Sequence, residues 1–187
     1  QTQFSHYQDH CSNANTFRMA PALGPPHPHR WRSRAFGRPP IRVTFKTTME
    51  RFLDAQESIY ETALAELISG QKRSHWMWFI FPQLAGLGES ETASFYAIAD
   101  AAEARTYLKH QILSPRLFEC TEALPTIEER SANEIFGFPD DLKLNSSMTL
   151  FEAASGKSDS IFTQVLEKYF TDRCSFTLQQ FGVKSPS

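Results

Sequence analysis

The sequence predicts an all-α protein: a single compact, bundle-like domain of several helices over residues 47–182, with a disordered N-terminal extension over 1–46 and a short C-terminal tail over 183–187. Three observations carry this. Apolar residues from Phe52 onward recur at steps of three and four, the period of one helix face. Pairs that cap helix starts recur along the chain, each followed by such a stripe. Alternating β-branched runs are scarce, and once the helices are placed the only segment left for a strand is Met77 to Phe81, so no sheet is predicted.

The first helix is the clearest. Thr47 with Glu50 three positions later is a capping-box pair. Phe52, Gln56, Ile59, Tyr60, Ala63, Leu64, Leu67 and Ile68 then form one stripe, apolar except for Gln56, which Gly70 ends as a left-handed C-terminal residue. Asp100 stands three residues before Glu103 and opens a helix through Ala104, Tyr107 and Leu108. Ser114-Pro115 reads as an N-cap followed by proline in the first position, with Leu117, Cys120, Thr121 and Leu124 on the buried face. Ser131 and Glu134 open a short turn ended by Gly137 and Pro139. Asp140 or Asp141 opens a segment through Leu144, Met148 and Phe151, and Asp159 another with Phe162, Val165, Leu166 and Tyr169. A last short helix runs from Ser175 to Phe181. No internal repeat is visible, which excludes a solenoid.

The net charge of −2 conceals an asymmetry. Residues 1–46 hold seven basic side chains against Asp9 alone, a net of +6, and the remainder is −8. An acidic body argues against nucleic-acid binding through the domain. The extension holds six prolines, which fix φ and remove donors, so neither helix nor sheet propagates there. Its arginines and serines give a minor alternative of organelle targeting, against which the prolines argue. The chain begins at Gln1, which reads as a fragment, a processed chain or an incomplete gene model, with Met49 as an alternative start. Cys11, Cys120 and Cys174 form neither a disulfide framework nor a zinc motif, so a reducing, cytoplasmic setting is expected. The longest apolar run, Trp76 to Phe81, is about one and a half helical turns, far short of a membrane span. No cofactor motif is present, and the sequence leaves the oligomeric state open.

Two segments carry the candidate chemistry. In the first, Ser74 to Gln83, two tryptophans, two phenylalanines and a histidine are crowded together, and Gly86-Leu87-Gly88 follows. One reading is a central core helix, apolar on all sides. The other is a pocket wall: Trp76 and Trp78 as ring surfaces, Gln83 reading an amide or ribose edge, and His75 as donor or candidate catalytic acid or base. In the second segment, Asp140 to Phe151, Lys143, Ser146, Ser147 and Thr149 suit an anion near a helix start. Here too there is a plain reading, hydroxyls bonded to the carbonyls of their own helix. Neither a P-loop nor a GxSxG elbow is present, and four of the six histidines lie in the extension, so no metal site is expected.

Several blocks, in order, carry a resemblance: Arg51-Phe52-Leu53-Asp54-Ala55-Gln56, Lys72 through Gln83, Gly86-Leu87-Gly88, Ile135-Phe136-Gly137, Asp141-Leu142-Lys143-Leu144 and Ser146 through Phe151. The chain resembles the family labelled domain of unknown function 1810 (DUF1810), whose bacterial members have sometimes been misnamed calpastatin, over about Met49 to Gly182. The resemblance implies a small all-α fold of five or more helices and brings no activity or catalytic residues with it. Two functions therefore stand as expectations. The favoured one is a small-molecule site for a nucleotide-like or phosphorylated ligand, lined by His75, Trp76, Trp78, Gln83, Lys143, Ser146 and Ser147. The alternative is a non-enzymatic interaction module presenting an acidic helical surface. Enzymatic and non-enzymatic readings both remain open.

Overall fold

The computed structural model describes residues 49–182, so the expectations for the extension, the Thr47 cap and the C-terminal tail lie outside the described residues. The described residues are helical, with an isolated parallel bridge between Leu84 and Ile98 and no extended strand. In chain order the helices are α1 (Glu50–Gln56), α2 (Tyr60–Ile68), α3 (Met77–Ile80), α4 (Glu91–Phe95), α5 (Ala101–Lys109), α6 (Leu113–Glu122), α7 (Ala132–Phe136), α8 (Asp140–Ser155), α9 (Ile161–Tyr169) and α10 (Ser175–Gln180). The all-α expectation holds.

The long first helix of the sequence reading is two helices, broken by the turn at Glu57–Ile59. No glycine or proline marks that break; the stripe continues across it, so periodicity alone runs the two together. Gln56, the polar member of the stripe, is buried, and both its amide nitrogen and its oxygen are bonded. Its amide donates to the Phe79 carbonyl (2.7 Å) and the Tyr107 hydroxyl (3.1 Å), while its oxygen accepts from Arg116 at 3.4 Å. Ile68, the last member, is 69% exposed. Gly70 does end α2, at φ 69°. Its N–H reaches the Leu67 carbonyl and that of Gln71 reaches Glu66, the paired bonds of a Schellman cap.

Three other starts follow the sequence closely. The Asp100 carboxylate caps α5 through the N–H groups of Ala102 and Glu103, both at 2.8 Å. Ser131 and Glu134 form a reciprocal capping box on α7. The last helix, α10, starts at Ser175 as expected. Two starts differ. The cap of α9 is Ser160, not Asp159, its hydroxyl accepting from the Thr163 N–H. α6 begins at Leu113, and the His110 ring nitrogen accepts from the N–H groups of Ile112 and Leu113, so Ser114 lies inside the helix rather than capping it.

α8 is the helix around which the others assemble, packing against α5, α7, α9 and α10. Six consecutive residues, Ser146 to Phe151, are all buried, so it is enclosed around its circumference. The Ser74–Gln83 segment, for which one expectation is a central core helix, contributes Trp76, Met77, Ile80 and Phe81 to the core but forms only one helical turn. A ladder of rings crosses the interior. Phe52 of α1 meets Tyr107 of α5 at 5.2 Å, Tyr107 meets Phe151 of α8 at 5.3 Å, Phe151 meets Phe162 of α9 at 5.7 Å, and Phe162 meets Phe118 of α6 at 5.3 Å. Five helices are thereby joined by large side chains, which bury the most area per residue.

Candidate functional site

The chain leaving α2 is drawn back onto that helix by one carboxylate. Glu66 accepts from the backbone N–H of Arg73 (2.8 Å) and Ser74 (3.1 Å), from the Ser74 hydroxyl (2.5 Å) and from the Trp76 indole N–H (2.8 Å). Burial raises its pKa, but the four bonds outweigh that and hold it at about 2. With its polar atom satisfied, the Trp76 ring is fully buried and packs edge-on against Phe81 (6.1 Å) and Phe136 (6.2 Å). Lys72 donates its backbone N–H to Ile135 and lays its ammonium 5.1 Å from the Trp76 ring.

Lys72 also meets the second candidate segment. Its ammonium pairs with Asp140 at 2.7 Å, and Lys143 pairs with the other oxygen of the same carboxylate, also at 2.7 Å. Burial raises the Asp140 pKa, but the hydrogen bonds from Lys143 and Lys72 hold it below its ordinary value. Two cations thus share one anion; the adjacent Asp141 is engaged elsewhere, with the Asn133 amide and the Leu142 N–H. The Lys143 ammonium lies 4.7 Å from the Trp78 ring centroid, within cation–π range.

The Trp78 ring, half-buried, lines a surface cleft of about 560 Å³ together with His75, Phe79, Glu91, Thr92, Phe95 and Tyr96. Backbone bonds from Gln83 and Ala85 to Ile98 tie the ends of the intervening loop (Ala85 N–H to Ile98 O and Ile98 N–H to Gln83 O, both 2.8 Å). The loop must therefore return alongside α3, and α4 within it is capped by Ser90. Gly88 lets the chain pass close: a Cβ there would lie 2.6 Å from that of Ala93. Tyr96 consequently meets Phe79 at 5.3 Å and Phe95 at 4.9 Å. A second cleft, of about 520 Å³, runs over the exposed face of α2, between Glu61, Thr62, Ala65, Glu66, Ser69 and Arg73.

Of the residues singled out in the sequence, His75 and Trp78 meet in the aromatic cleft and Lys143 reaches the Trp78 ring. His75 is exposed and makes no hydrogen bond among the described residues. Trp76, Gln83, Ser146 and Ser147 are buried and line neither cleft. Ser146 donates to the Leu142 carbonyl at 3.1 Å, the backbone bond of the plain reading, whereas the Ser147 hydroxyl is buried without a partner among the described residues. Phe79, Glu91, Thr92, Phe95 and Tyr96 were not singled out as site residues. The available signal was Ser90-Glu91 as a helix start, with two adjacent aromatics a turn later.

Cys120 is enclosed, burial pushing its thiol up to about 12, and Cys174 is buried at the start of α10. Among the described residues no cluster of three or more His, Cys, Asp or Glu side chains is placed to hold a metal ion, and no helix is long and apolar enough to cross a membrane.

A family model described as "Protein of unknown function (DUF1810)" matches residues 46–181. Among solved structures, the chain is similar to the conserved hypothetical protein Rv1873 from Mycobacterium tuberculosis, a crystal structure at 1.38 Å. The two share 46% identity, the match covers 73% of this chain and 97% of that one, and the TM-score is 0.70. No curated protein matches the sequence.

Proposed function

The chain belongs to the DUF1810 family, and we propose that its helical frame serves a small-molecule site: the aromatic cleft, taking a phosphorylated or otherwise anionic ligand of nucleotide-like size. The observation that carries this is the meeting of four rings, His75 and Glu91 around one open volume, with the Lys143 ammonium against the Trp78 wall. Rings with a few polar groups are how small-molecule sites are generally lined. Trp78 is the wall, His75 the donor at the rim, and Lys143 the partner of the anionic end. Trp76, Gln83, Ser146 and Ser147 are buried away from the cleft and do not touch the ligand. The second reading, an interaction module, rests on the exposed apolar side chains Ile68, Phe95, Ile112 and Phe138. These belong to four separate stretches of chain, and Phe95 lies in the cleft, which favours the pocket.

The test is thermal unfolding of the full chain against nucleoside monophosphates, sugar phosphates and small phosphate esters. A ligand at about 100 times its Kd adds roughly 2.7 kcal/mol of stability. The expected result is a rise in Tm with at least one compound, abolished in Trp78→Ala. No rise with any member of the panel, or a rise that Trp78→Ala leaves intact, refutes the reading.

A further inference from the structure

The rings of the cleft are tilted against one another. Tyr96 stands at 83° to Phe95 and 58° to Phe79, so neighbouring rings do not present parallel faces. A flat base is held best by stacking on rings parallel to its own plane. Mutually tilted rings instead surround a compact, rounded group from several directions. Phe95 is 60% exposed, so a group seated in the cleft would cover part of its ring.

Charge points the same way. Aromatic faces attract cations through the ring quadrupole, and the net gain in water is greatest for a methylated ammonium, which gives up little hydration. Glu91 is the one carboxylate of the lining, it makes no ion pair among the described residues, and no lysine or arginine lines the cleft. The Lys143 ammonium lies against the Trp78 ring and is not among the lining residues. Beside Lys143, Lys72 shares the same single carboxylate of Asp140.

We propose that the ligand is zwitterionic, with a methylated ammonium head enclosed by Trp78, Phe79, Phe95 and Tyr96 opposite Glu91, and its anionic end directed toward Lys143. This rests on the binding reading above and names the chemical class of the head group.

The probes are phosphocholine and 3,3-dimethylbutyl phosphate, which replaces the trimethylammonium with an uncharged group of the same shape. Calorimetric titration of the full chain should show phosphocholine binding at least tenfold more tightly. Glu91→Gln, at an exposed position, should keep the wild-type Tm, weaken phosphocholine several-fold and leave the uncharged ester unchanged. Equal or tighter binding of the ester overturns the cationic head but leaves the small-molecule reading standing. So does a nucleoside monophosphate that binds while phosphocholine does not, and so does equal weakening of both probes by Glu91→Gln. Failure of the two probes and of the whole panel overturns both readings.

Discussion

Glu66 is the side chain whose removal reads out most directly how the candidate segment is held. Its carboxylate gathers four donors from Arg73, Ser74 and Trp76. The lowering of its pKa from 4.5 to about 2 is a statement about stability. About 2.5 pH units correspond to roughly 3 kcal/mol if fully transmitted. Glu66 is only half-buried, and solvent screening reduces this to about 1–2 kcal/mol. The sign follows from the depressed value. The stabilisation is complete above the unfolded-state pKa of about 4.5 and is lost as pH falls toward 2. Glu66→Gln keeps the shape, removes the charge and places an NH₂ group where an acceptor stood. We expect it to cost about 1–2 kcal/mol at pH 7 in urea unfolding followed by circular dichroism. We also expect the mutant to lose less stability than the wild type between pH 4.5 and 2.5, so that the two curves converge. A cost below about 0.5 kcal/mol at pH 7, or two curves parallel through that window, refutes the role assigned to this carboxylate.

Three further outcomes follow from buried groups and close approaches. Gln56→Leu keeps the volume but strands the Tyr107 hydroxyl and the Phe79 carbonyl; the expected cost is about 2–3 kcal/mol by the same unfolding assay. Ser147→Ala removes a buried hydroxyl that has no partner among the described residues, so stability should be unchanged or up to about 1 kcal/mol higher, and a loss of more than about 1 kcal/mol would mean the hydroxyl is bonded in solution. Gly88→Ala drives a methyl to within 2.6 Å of Ala93 Cβ, which displaces α4. It should cost on the order of 1–3 kcal/mol and weaken any ligand held in the cleft, measured by Tm and by titration.

The fold was legible where local chemistry decides it. The Asp100 cap, the Ser131–Glu134 box and the Gly70 terminator need only residues within one turn of the helix end, and all three are found as the sequence implies. It was less legible where two local solutions compete. Asp159 and Ser160 are both good caps, and the choice falls on Ser160, whose hydroxyl is buried beside Thr163. It failed where a distant partner decides. No residue near Glu57 forces the break between α1 and α2, and the loop carrying α4 is brought to α3 by backbone bonds spanning Gln83 to Ile98. Four of the seven cleft residues come from that loop, Glu91, Thr92, Phe95 and Tyr96, which is why composition found only one side of the cleft.

The same consideration explains the divided fate of Trp76 and Trp78. A helix of four residues is too short to impose an apolar stripe of its own. Which ring packs and which faces the cleft is set from outside: Glu66 holds the Trp76 indole, Gln56 holds the Phe79 carbonyl, and Lys143 lies against Trp78. These partners come from α2, α1 and α8, so the segment is the point at which three helices share one peptide. Core packing and a candidate site are therefore not competing accounts of Ser74–Gln83. Fixing Trp76 and Phe79 from behind orders Trp78 without immobilising it, and an ordered, half-buried ring is what a ligand needs, because less freedom is lost when it binds. Loosening Glu66 or Gln56 should then weaken ligand binding at Trp78 even though neither residue lines the cleft with it.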